Sequence, residues 1–189
     1  MEAIVVVTGL PRSGTSMLMQ MLAAGGVPIF TDRLRQADDD NPSGYFEHEA
    51  VKRLASDAAW LAEAAGQAVK IVAPLIPAIP EGMPLKVLLI ERALDEVIAS
   101  QEKMMQRLGT SGAALPAERL KAVFAQQLAR AKAFLDGRGD AETVSLAYRE
   151  TVNDPATCAK KINAFFGGSL DKKAMAAAVN PKLYRNRSD

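Results

Sequence analysis

The sequence has few of the side chains that usually build disulfide frameworks, metal centres and aromatic binding cages. It contains one cysteine, one histidine and 5% aromatic residues in a chain of 189. The single cysteine, Cys158, permits no internal disulfide, which favours a reducing compartment. No apolar run approaches the roughly 20 residues of a membrane span, and the first residues lack the basic leader of a signal peptide. We therefore expect a cytoplasmic protein without a membrane span.

An excess of charge of one sign is also missing. Lysine and arginine together number 23 and aspartate and glutamate 22, so the formal net charge is +1. No bulk field then draws the protein to nucleic acid or to an anionic membrane, and any anion site must be built locally. The apolar content of 49% and the charged content of 24% are ordinary for a globular protein. We expect one domain over residues 1–189.

Short apolar runs alternate with longer helical patterns along the chain. The predicted strands cover residues 3–7, 27–30, 68–73, 86–90 and 142–147. The predicted helices cover residues 16–24, 47–65, 95–108, 117–135, 155–166 and 171–179, and the polar stretches 31–45 and 109–116 are predicted loops. This alternation predicts a three-layer α/β fold with a mostly parallel central sheet of about five strands. Ligands of such sheets bind beyond the carboxyl ends of the strands.

The stretch VVVTGLPRSGTSMLMQML, residues 5–22, joins the first strand to the first helix. Its two glycines and Ser16 have the spacing of a nucleoside-triphosphatase P-loop, but Thr15 stands where that motif has lysine, and Arg12 lies inside the loop. Backbone N–H groups at a helix start and a planar guanidinium suit a terminal tetrahedral oxyanion. The loop therefore predicts an anion site, with a generic glycine-rich turn and a solvated arginine as the alternative.

The loop resembles the 5′-phosphosulfate-binding loop of the sulfotransferases, which use 3′-phosphoadenosine-5′-phosphosulfate (PAPS), over Pro11, Arg12, Ser13, Gly14, Thr15 and Ser16. A second signature of that family follows strand 86–90: Arg92 and Ser100 lie eight residues apart, and in the family such a pair binds the 3′-phosphate. Ala93 and Leu94 replace the usual Asn-Pro. LAYRETVNDP, residues 146–155, is a third likeness. The resemblance covers residues 5–166, is greatest to a short bacterial-type group, and implies a P-loop-like fold.

The resemblance also implies where the chemistry lies. Lys70 matches a lysine that reaches the leaving phosphate oxygen in the family, and a lysine snorkelling from a strand end is the alternative. Val72 stands where phenol-sulfating members have their histidine base. Other members use a glutamate from the region that here holds Glu47 and Glu49. The sole histidine, His48, has a side-chain type suited to proton transfer near neutral pH, so the general base is either a glutamate or this histidine.

Other features leave alternatives open. Arg185 and Arg187 stand where the family brings a basic tail to the 3′-phosphate, or they form a charged frayed terminus. Glu91 ends a hydrophobic strand as the magnesium-binding acid of triphosphatases does, and without the P-loop lysine we interpret it as structural. The expected reaction is sulfuryl transfer from PAPS to an unidentified hydroxyl or amine of a small-molecule or glycan-like acceptor, without a metal. A kinase-like nucleotide-dependent phosphotransferase and a non-catalytic nucleotide- or anion-binding module remain alternatives.

Overall fold

The computed structural model describes residues 2–32, 34, 44–107, 109 and 116–184. Over these residues it contains a parallel sheet of four strands in the order β2-β1-β3-β4, and this confirms the predicted α/β fold. The strands are β1 Ile4–Thr8, β2 Ala68–Lys70, β3 Leu85–Glu91 and β4 Ala141–Ala147. The α-helices are α1 Thr15–Ala24, α2 Leu94–Arg107, α3 Ala117–Asp136, α4 Tyr148–Asn153, α5 Pro155–Phe165 and α6 Lys172–Ala177. The 3₁₀ helices cover Glu49–Arg53, Ala59–Ala64, Ala73–Ala78 and Pro181–Leu183.

The central strand β1 contributes to two hydrophobic cores, one on each face of the sheet. Every residue of β1 is buried, as its uninterrupted β-branched sequence predicts. Successive side chains of a strand point to opposite faces, so Val6 packs in a core with α2 and α3, whereas Val5 and Val7 pack in a core with α1, α5 and α6. The sheet is therefore covered by helices on both faces, and its carboxyl edge is left for a ligand. In the described part of the chain, no helix is long and apolar enough to cross a membrane.

The prediction of one long helix over residues 47–65 is wrong. Two 3₁₀ helices, Glu49–Arg53 and Ala59–Ala64, replace it. Between them the Ser56 hydroxyl donates to the carbonyl of Arg53 at 3.0 Å, and the Asp57 carboxylate accepts from the amide of Ala59 at 3.1 Å. Such short polar side chains offer the backbone local partners in place of helical ones. The apolar spacing was helical, but these bonds end the helix.

The prediction of a strand over residues 27–30 is also wrong. Ile29 forms only an isolated parallel bridge with Ala68, flanked by the bonds from the Ala68 amide to the Pro28 carbonyl (2.8 Å) and from the Phe30 amide to the Ala68 carbonyl (2.9 Å). Pro28 has no N–H group with which to extend the ladder. The strand predicted over residues 68–73 is shorter in the structure, where β2 ends at Lys70.

Candidate active site

The carboxyl ends of the four strands meet at one cavity. Because all strands are parallel, the loop after β1, Lys70 at the end of β2, Arg92 after β3 and Tyr148 after β4 lie along the same edge of the sheet. They border a cavity of about 360 Å³, within the range of small-ligand sites. The described residues that line it are Pro11, Arg12, Gly14, Thr15, Ser16, Met17, Gln20, Tyr45, Glu47, Lys70, Val72, Arg92, Ser100, Gln101, Lys103, Met104, Arg107, Tyr148, Asn180 and Leu183.

The loop after β1 depends on two left-handed backbone positions. Arg12 has φ 68° and Gly14 has φ 105°, and α1 begins at the next residue, Thr15. A Cβ atom on Gly14 would lie 2.5 Å from Cδ2 of Tyr148, so only glycine fits there. The first N–H groups of a helix have no intrahelical partners, and the helix dipole favours an anion beside them. The hydroxyl-bearing residues Thr15 and Ser16 of this first turn also line the cavity.

Ser13 is the member of the predicted loop that the structure places away from the cavity wall. It is 1% exposed, and its hydroxyl has no hydrogen-bond partner within the described residues. Its amide donates to the carbonyl of Leu10 at 3.1 Å, which closes the turn. The Ser13 side chain therefore lies inside the loop, whereas Pro11 and Arg12 face the cavity.

The two signatures recognised in the sequence contact each other directly. Nε of Arg12 donates to Oγ of Ser100 at 3.1 Å, and Nη1 of Arg92 donates to the backbone carbonyl of Arg12 at 3.2 Å. All three residues line the cavity. The spacing of eight residues works because Ser100 lies about two turns along α2, which brings its hydroxyl back beside the end of β3.

Arg92 is held in place by a buried cluster of an acid and two tyrosines. Its Nε donates to Glu96 at 2.8 Å, and the two side chains are 7% and 3% exposed. Its guanidinium carbon lies 4.4 Å from the ring centre of Tyr148 and 5.3 Å from that of Tyr184, within cation–π range. The Tyr184 hydroxyl donates to the other Glu96 oxygen at 2.7 Å. Burial, and then this hydrogen bond, raise the pKa of Tyr184, so it remains a donor at neutral pH.

Lys70 brings a second cation to the start of α1, from the opposite side of the loop. It is 7% exposed, and its Nζ lies 3.0 Å from a carboxylate oxygen of Glu47 and 3.4 Å from Oγ of Ser16. It also donates to the backbone carbonyl of Tyr45. A buried ammonium needs such partners because of its desolvation cost. The structure thus joins Lys70, Glu47 and the loop hydroxyl of Ser16 in one polar cluster on the cavity wall.

The other two candidate bases lie elsewhere. Nδ1 of His48 accepts from the amide of Ala50 at 3.2 Å, and its ring stacks on Phe30 with the ring centres 4.4 Å apart. Glu49 pairs with exposed Lys52 at 2.8 Å. Neither is among the residues that line the cavity. Of the three candidates, Glu47 is the one that the structure brings to the loop.

Charge is concentrated in this cavity although the chain as a whole is nearly neutral. Of the described residues that line it, five are basic and one, Glu47, is acidic. The basic residues are Arg12, Lys70, Arg92, Lys103 and Arg107. Several like charges that line one cavity favour an anionic ligand, since they raise the local positive potential. The described lining of the cavity is therefore predominantly cationic.

Comparison of the fold with solved structures identifies its type. No family model matches the sequence, and no curated protein matches it. A sulfotransferase domain from the curacin biosynthetic pathway is similar over 97% of this chain and 89% of its own, with 15% identity and a TM-score of 0.58. Retinol dehydratase, solved with androsterone and the inactive cofactor PAP, is similar over 96% and 64%, with 14% identity and a TM-score of 0.54. A sulfotransferase from Alicyclobacillus acidocaldarius is similar over 91% and 85%, with 17% identity and a TM-score of 0.52.

The chain has the sulfotransferase fold. The sequence did not predict that Tyr148 lines the cavity of this sulfotransferase fold. Tyr148 directly follows β4, and in a parallel sheet a residue at that place lies at the carboxyl edge. The sequence also did not predict Lys103 and Arg107, whose spacing from Ser100 of three and seven residues is that of one helix face. Glu96 carried no sequence signal for its contact with Tyr184, which is 88 residues away. Arg185 and Arg187 lie outside the described residues.

Proposed function

We propose that this protein is a sulfotransferase that moves a sulfuryl group from PAPS to a hydroxyl or amine of a small-molecule or glycan-like acceptor. The observation that carries the proposal is the pair of cationic positions at the carboxyl edge of the sheet. One is Arg12 with Lys70 at the start of α1, and the other is Arg92 with Ser100. PAPS carries two anionic groups, a 5′-phosphosulfate and a 3′-phosphate. A site with two cationic positions, which adjoin where Arg12 contacts Ser100, supports this match.

The donor set fits these two groups. The amides of the first turn of α1, Arg12 and the loop hydroxyls would hold the 5′-phosphosulfate, and Arg92 with Ser100 would hold the 3′-phosphate. When bound, PAPS would supply an activated sulfuryl group attached to a phosphate leaving group. The buried ammonium of Lys70, beside Ser16, would stabilise the negative charge that develops on the leaving oxygen.

Glu47 is the general base in this proposal. Its carboxylate lines the cavity, and it is 35% exposed while its partner Lys70 is 6% exposed, so an acceptor can reach it. The base takes the acceptor's proton as the new S–O bond forms and the bond from sulfur to the bridging phosphate oxygen breaks. His48, whose Nδ1 accepts a backbone hydrogen bond, caps the helix that starts at Glu49.

Replacing Glu47 by glutamine is expected to slow transfer by about 10²-fold, because the amide cannot accept the proton. His48→Gln is the matched change at the neighbouring position and is expected to stay within a few-fold of the wild type. Release of adenosine 3′,5′-bisphosphate from PAPS, measured with a panel of phenols, alcohols and amines, compares the two variants. The opposite order of effects would assign the base to His48.

Isothermal titration tests which nucleotide the cavity binds. The wild type is expected to bind adenosine 3′,5′-bisphosphate about tenfold or more tightly than adenosine 5′-monophosphate, because only the former has a 3′-phosphate. Ser100→Ala is expected to weaken binding of the bisphosphate by about tenfold, since it removes one hydroxyl bond to a charged group. Binding of the monophosphate should fall less, since there the change removes only the contact between Ser100 and Arg12. Ser56→Ala, an exposed serine outside the cavity, is the control.

Three results, the first from a further titration with ATP and magnesium, would contradict the proposal in different ways. Tighter binding of ATP with magnesium than of the bisphosphate would indicate a phosphotransferase; against this, Glu91 pairs with Lys132 at 2.7 Å and does not line the cavity. Binding without release from PAPS with any acceptor would indicate a non-catalytic binding module. Absence of bisphosphate binding would remove the proposal altogether.

A further inference from the structure

Two buried side chains, Glu96 and Tyr184, lie directly behind the wall of the cavity. Tyr184 follows the 3₁₀ helix Pro181–Leu183, and its hydroxyl donates to Oε1 of Glu96 on α2 at 2.7 Å. Neither residue is among the described residues that line the cavity, whereas Arg92, which contacts both, does line it. A ligand in the cavity therefore meets Arg92, and the two side chains behind it act on the ligand through that arginine.

Hydrogen bonds and aromatic rings together hold the guanidinium of Arg92. Its Nε donates to Oε2 of Glu96 at 2.8 Å, and its Nη1 donates to the carbonyl of Arg12 at 3.2 Å. Its guanidinium carbon lies 4.4 Å and 5.3 Å from the ring centres of Tyr148 and Tyr184. These two rings pack edge to face on each other, with an angle of 85° between their planes. The contacts come from several directions and limit the orientations that the guanidinium can take.

The orientation of an arginine matters more to a phosphate than the orientation of a lysine does. The N–H donors of a guanidinium lie in one plane, and they bind a phosphate through two parallel hydrogen bonds only when its oxygens lie near that plane. An ammonium group has no such requirement. A guanidinium of fixed orientation therefore favours a phosphate at one place on a ligand over the same phosphate moved to a neighbouring atom.

The charge of Glu96 by itself would weaken an anion site. Its carboxylate pairs with Arg92 and offsets part of the positive charge that faces the cavity. A buried pair of this kind gives little net stability, because both charges must be removed from water. Tyr184 gives the same carboxylate a neutral donor, which holds Glu96 without adding charge. The arrangement suits control of geometry better than it suits attraction.

We propose that Glu96 and Tyr184 are positioning residues that fix the orientation of the Arg92 guanidinium, so that the site selects a nucleotide with a 3′-phosphate over one with a 2′-phosphate. This inference rests on the proposed function, in which Arg92 binds the 3′-phosphate. The two residues touch neither the nucleotide nor the reacting atoms. Their effect is on which nucleotide binds.

The test uses three nucleotides that differ in one phosphate. Adenosine 3′,5′-bisphosphate and its 2′,5′ isomer carry the same charged groups at different positions, and adenosine 5′-monophosphate lacks the second phosphate. In isothermal titration the wild type is expected to bind the 3′,5′ isomer about tenfold more tightly than the 2′,5′ isomer. Tyr184→Phe keeps the ring and removes the hydroxyl. It is expected to weaken the 3′,5′ isomer by about fivefold, to bring the isomers within about threefold of each other, and to leave the monophosphate within about twofold of the wild type.

Glu96→Gln separates an effect of position from an effect of charge. If only the charge of Glu96 mattered, its removal beside Arg92 would strengthen bisphosphate binding. A positioning role predicts the opposite, a loss of about tenfold, because the glutamine amide cannot accept two charge-assisted hydrogen bonds from Arg92 and Tyr184. Tyr184→Phe decides the matter even if Glu96→Gln does not fold.

Thr151→Val is the control for the loss of a buried hydroxyl. Thr151 is 1% exposed and outside the cavity, and its hydroxyl donates to the carbonyl of Ala147 at 2.8 Å. This variant is expected to lower the midpoint of thermal unfolding about as much as Tyr184→Phe and to leave the isomer preference unchanged. A second readout needs no ligand: the Nε–H resonance of Arg92, identified by its absence in Arg92→Lys, should exchange with water about fivefold faster in Tyr184→Phe and at the wild-type rate in Thr151→Val.

The outcomes distinguish the positioning role from the function on which it rests. A wild type that does not bind adenosine 3′,5′-bisphosphate contradicts the proposed function. If it binds, the positioning role is contradicted by equal affinity of the wild type for the two isomers, by a wild-type preference or an unchanged Nε–H exchange rate in Tyr184→Phe, or by tighter bisphosphate binding in Glu96→Gln. It is also contradicted if Tyr184→Phe weakens the monophosphate as much as the bisphosphate, or if Thr151→Val loses the preference to the same extent, since either result would indicate a general loss of structure.

Discussion

Replacing Lys70 by methionine is expected to slow sulfuryl transfer by about 10²–10³-fold, the usual effect of removing one preorganised donor from a developing negative charge. Lys70 is buried and lies 3.4 Å from the Ser16 hydroxyl at the start of α1, where the leaving oxygen would be. Binding of the bisphosphate should fall less, by about tenfold, because the charge on the leaving group is largest as the bond breaks. Release of bisphosphate from PAPS gives the rate, and titration gives the affinity.

The chain offers a matched control for this change. Lys52 and Glu49 form a second lysine–glutamate pair, with the atoms 2.8 Å apart, on the exposed surface. Lys52→Met is expected to leave both rate and affinity unchanged, because exposed pairs contribute little. Methionine fills a buried site well, and Glu47 retains contact with solvent, so Lys70→Met should remain folded by circular dichroism. A Lys70→Met rate within a few-fold of the wild type would falsify the role given to this lysine.

Gly14→Ala is expected to weaken bisphosphate binding by about 10²-fold or more. The new Cβ would lie 2.5 Å from Cδ2 and 2.8 Å from Cε2 of Tyr148, and the ring must move. That ring packs on the guanidinium of Arg92, so the displacement reaches the proposed 3′-phosphate position as well as the loop. The left-handed backbone at Gly14 adds strain of about 1–3 kcal/mol.

Gly26→Ala separates the strain from the collision. Gly26 has φ 97°, close to the 105° of Gly14, but nothing lies within 4 Å of its Cβ position. Both variants should lose stability through the backbone, measured as a lower midpoint of thermal unfolding. Only Gly14→Ala should lose the ligand in titration. Equal loss of binding in the two variants would show that the contact with Tyr148 is unimportant.

The parts of the site that the sequence predicted are those carried by local signals. The loop from β1 to α1 depends on residues that are neighbours in the chain, and the pair Arg92 and Ser100 depends on a strand end and two turns of one helix. The loop and this pair are in contact, from Arg12 to Ser100 and from Arg92 to Arg12, because β1 and β3 are parallel and end at the same edge of the sheet. Lys70 was predicted at the carboxyl edge of the strand over residues 68–73 or just within it, and in the structure β2 ends at Lys70.

The remainder depended on contacts that the chain order does not reveal. Glu96 joins Arg92 and Tyr184, and the second partner lies 88 residues away. The error over residues 47–65 has a local cause, since the apolar spacing was read as one helix while Ser56 and Asp57 supply side-chain bonds that end it. This error matters for the site, because Glu47 precedes the first 3₁₀ helix in a segment without regular secondary structure rather than lying on a long helix.

At position 12 the backbone conformation that favours stability and the side chain that the proposed function needs call for different residues. An arginine at φ 68° holds the chain about 1–2 kcal/mol above the conformation that a glycine would accept without strain. Selection for thermal tolerance alone would therefore favour glycine here and would remove the guanidinium that contacts Ser100. Sequence libraries screened for robust expression should thus accumulate inactive members with an unusually stable fold, and consensus redesign of this protein should hold position 12 constant.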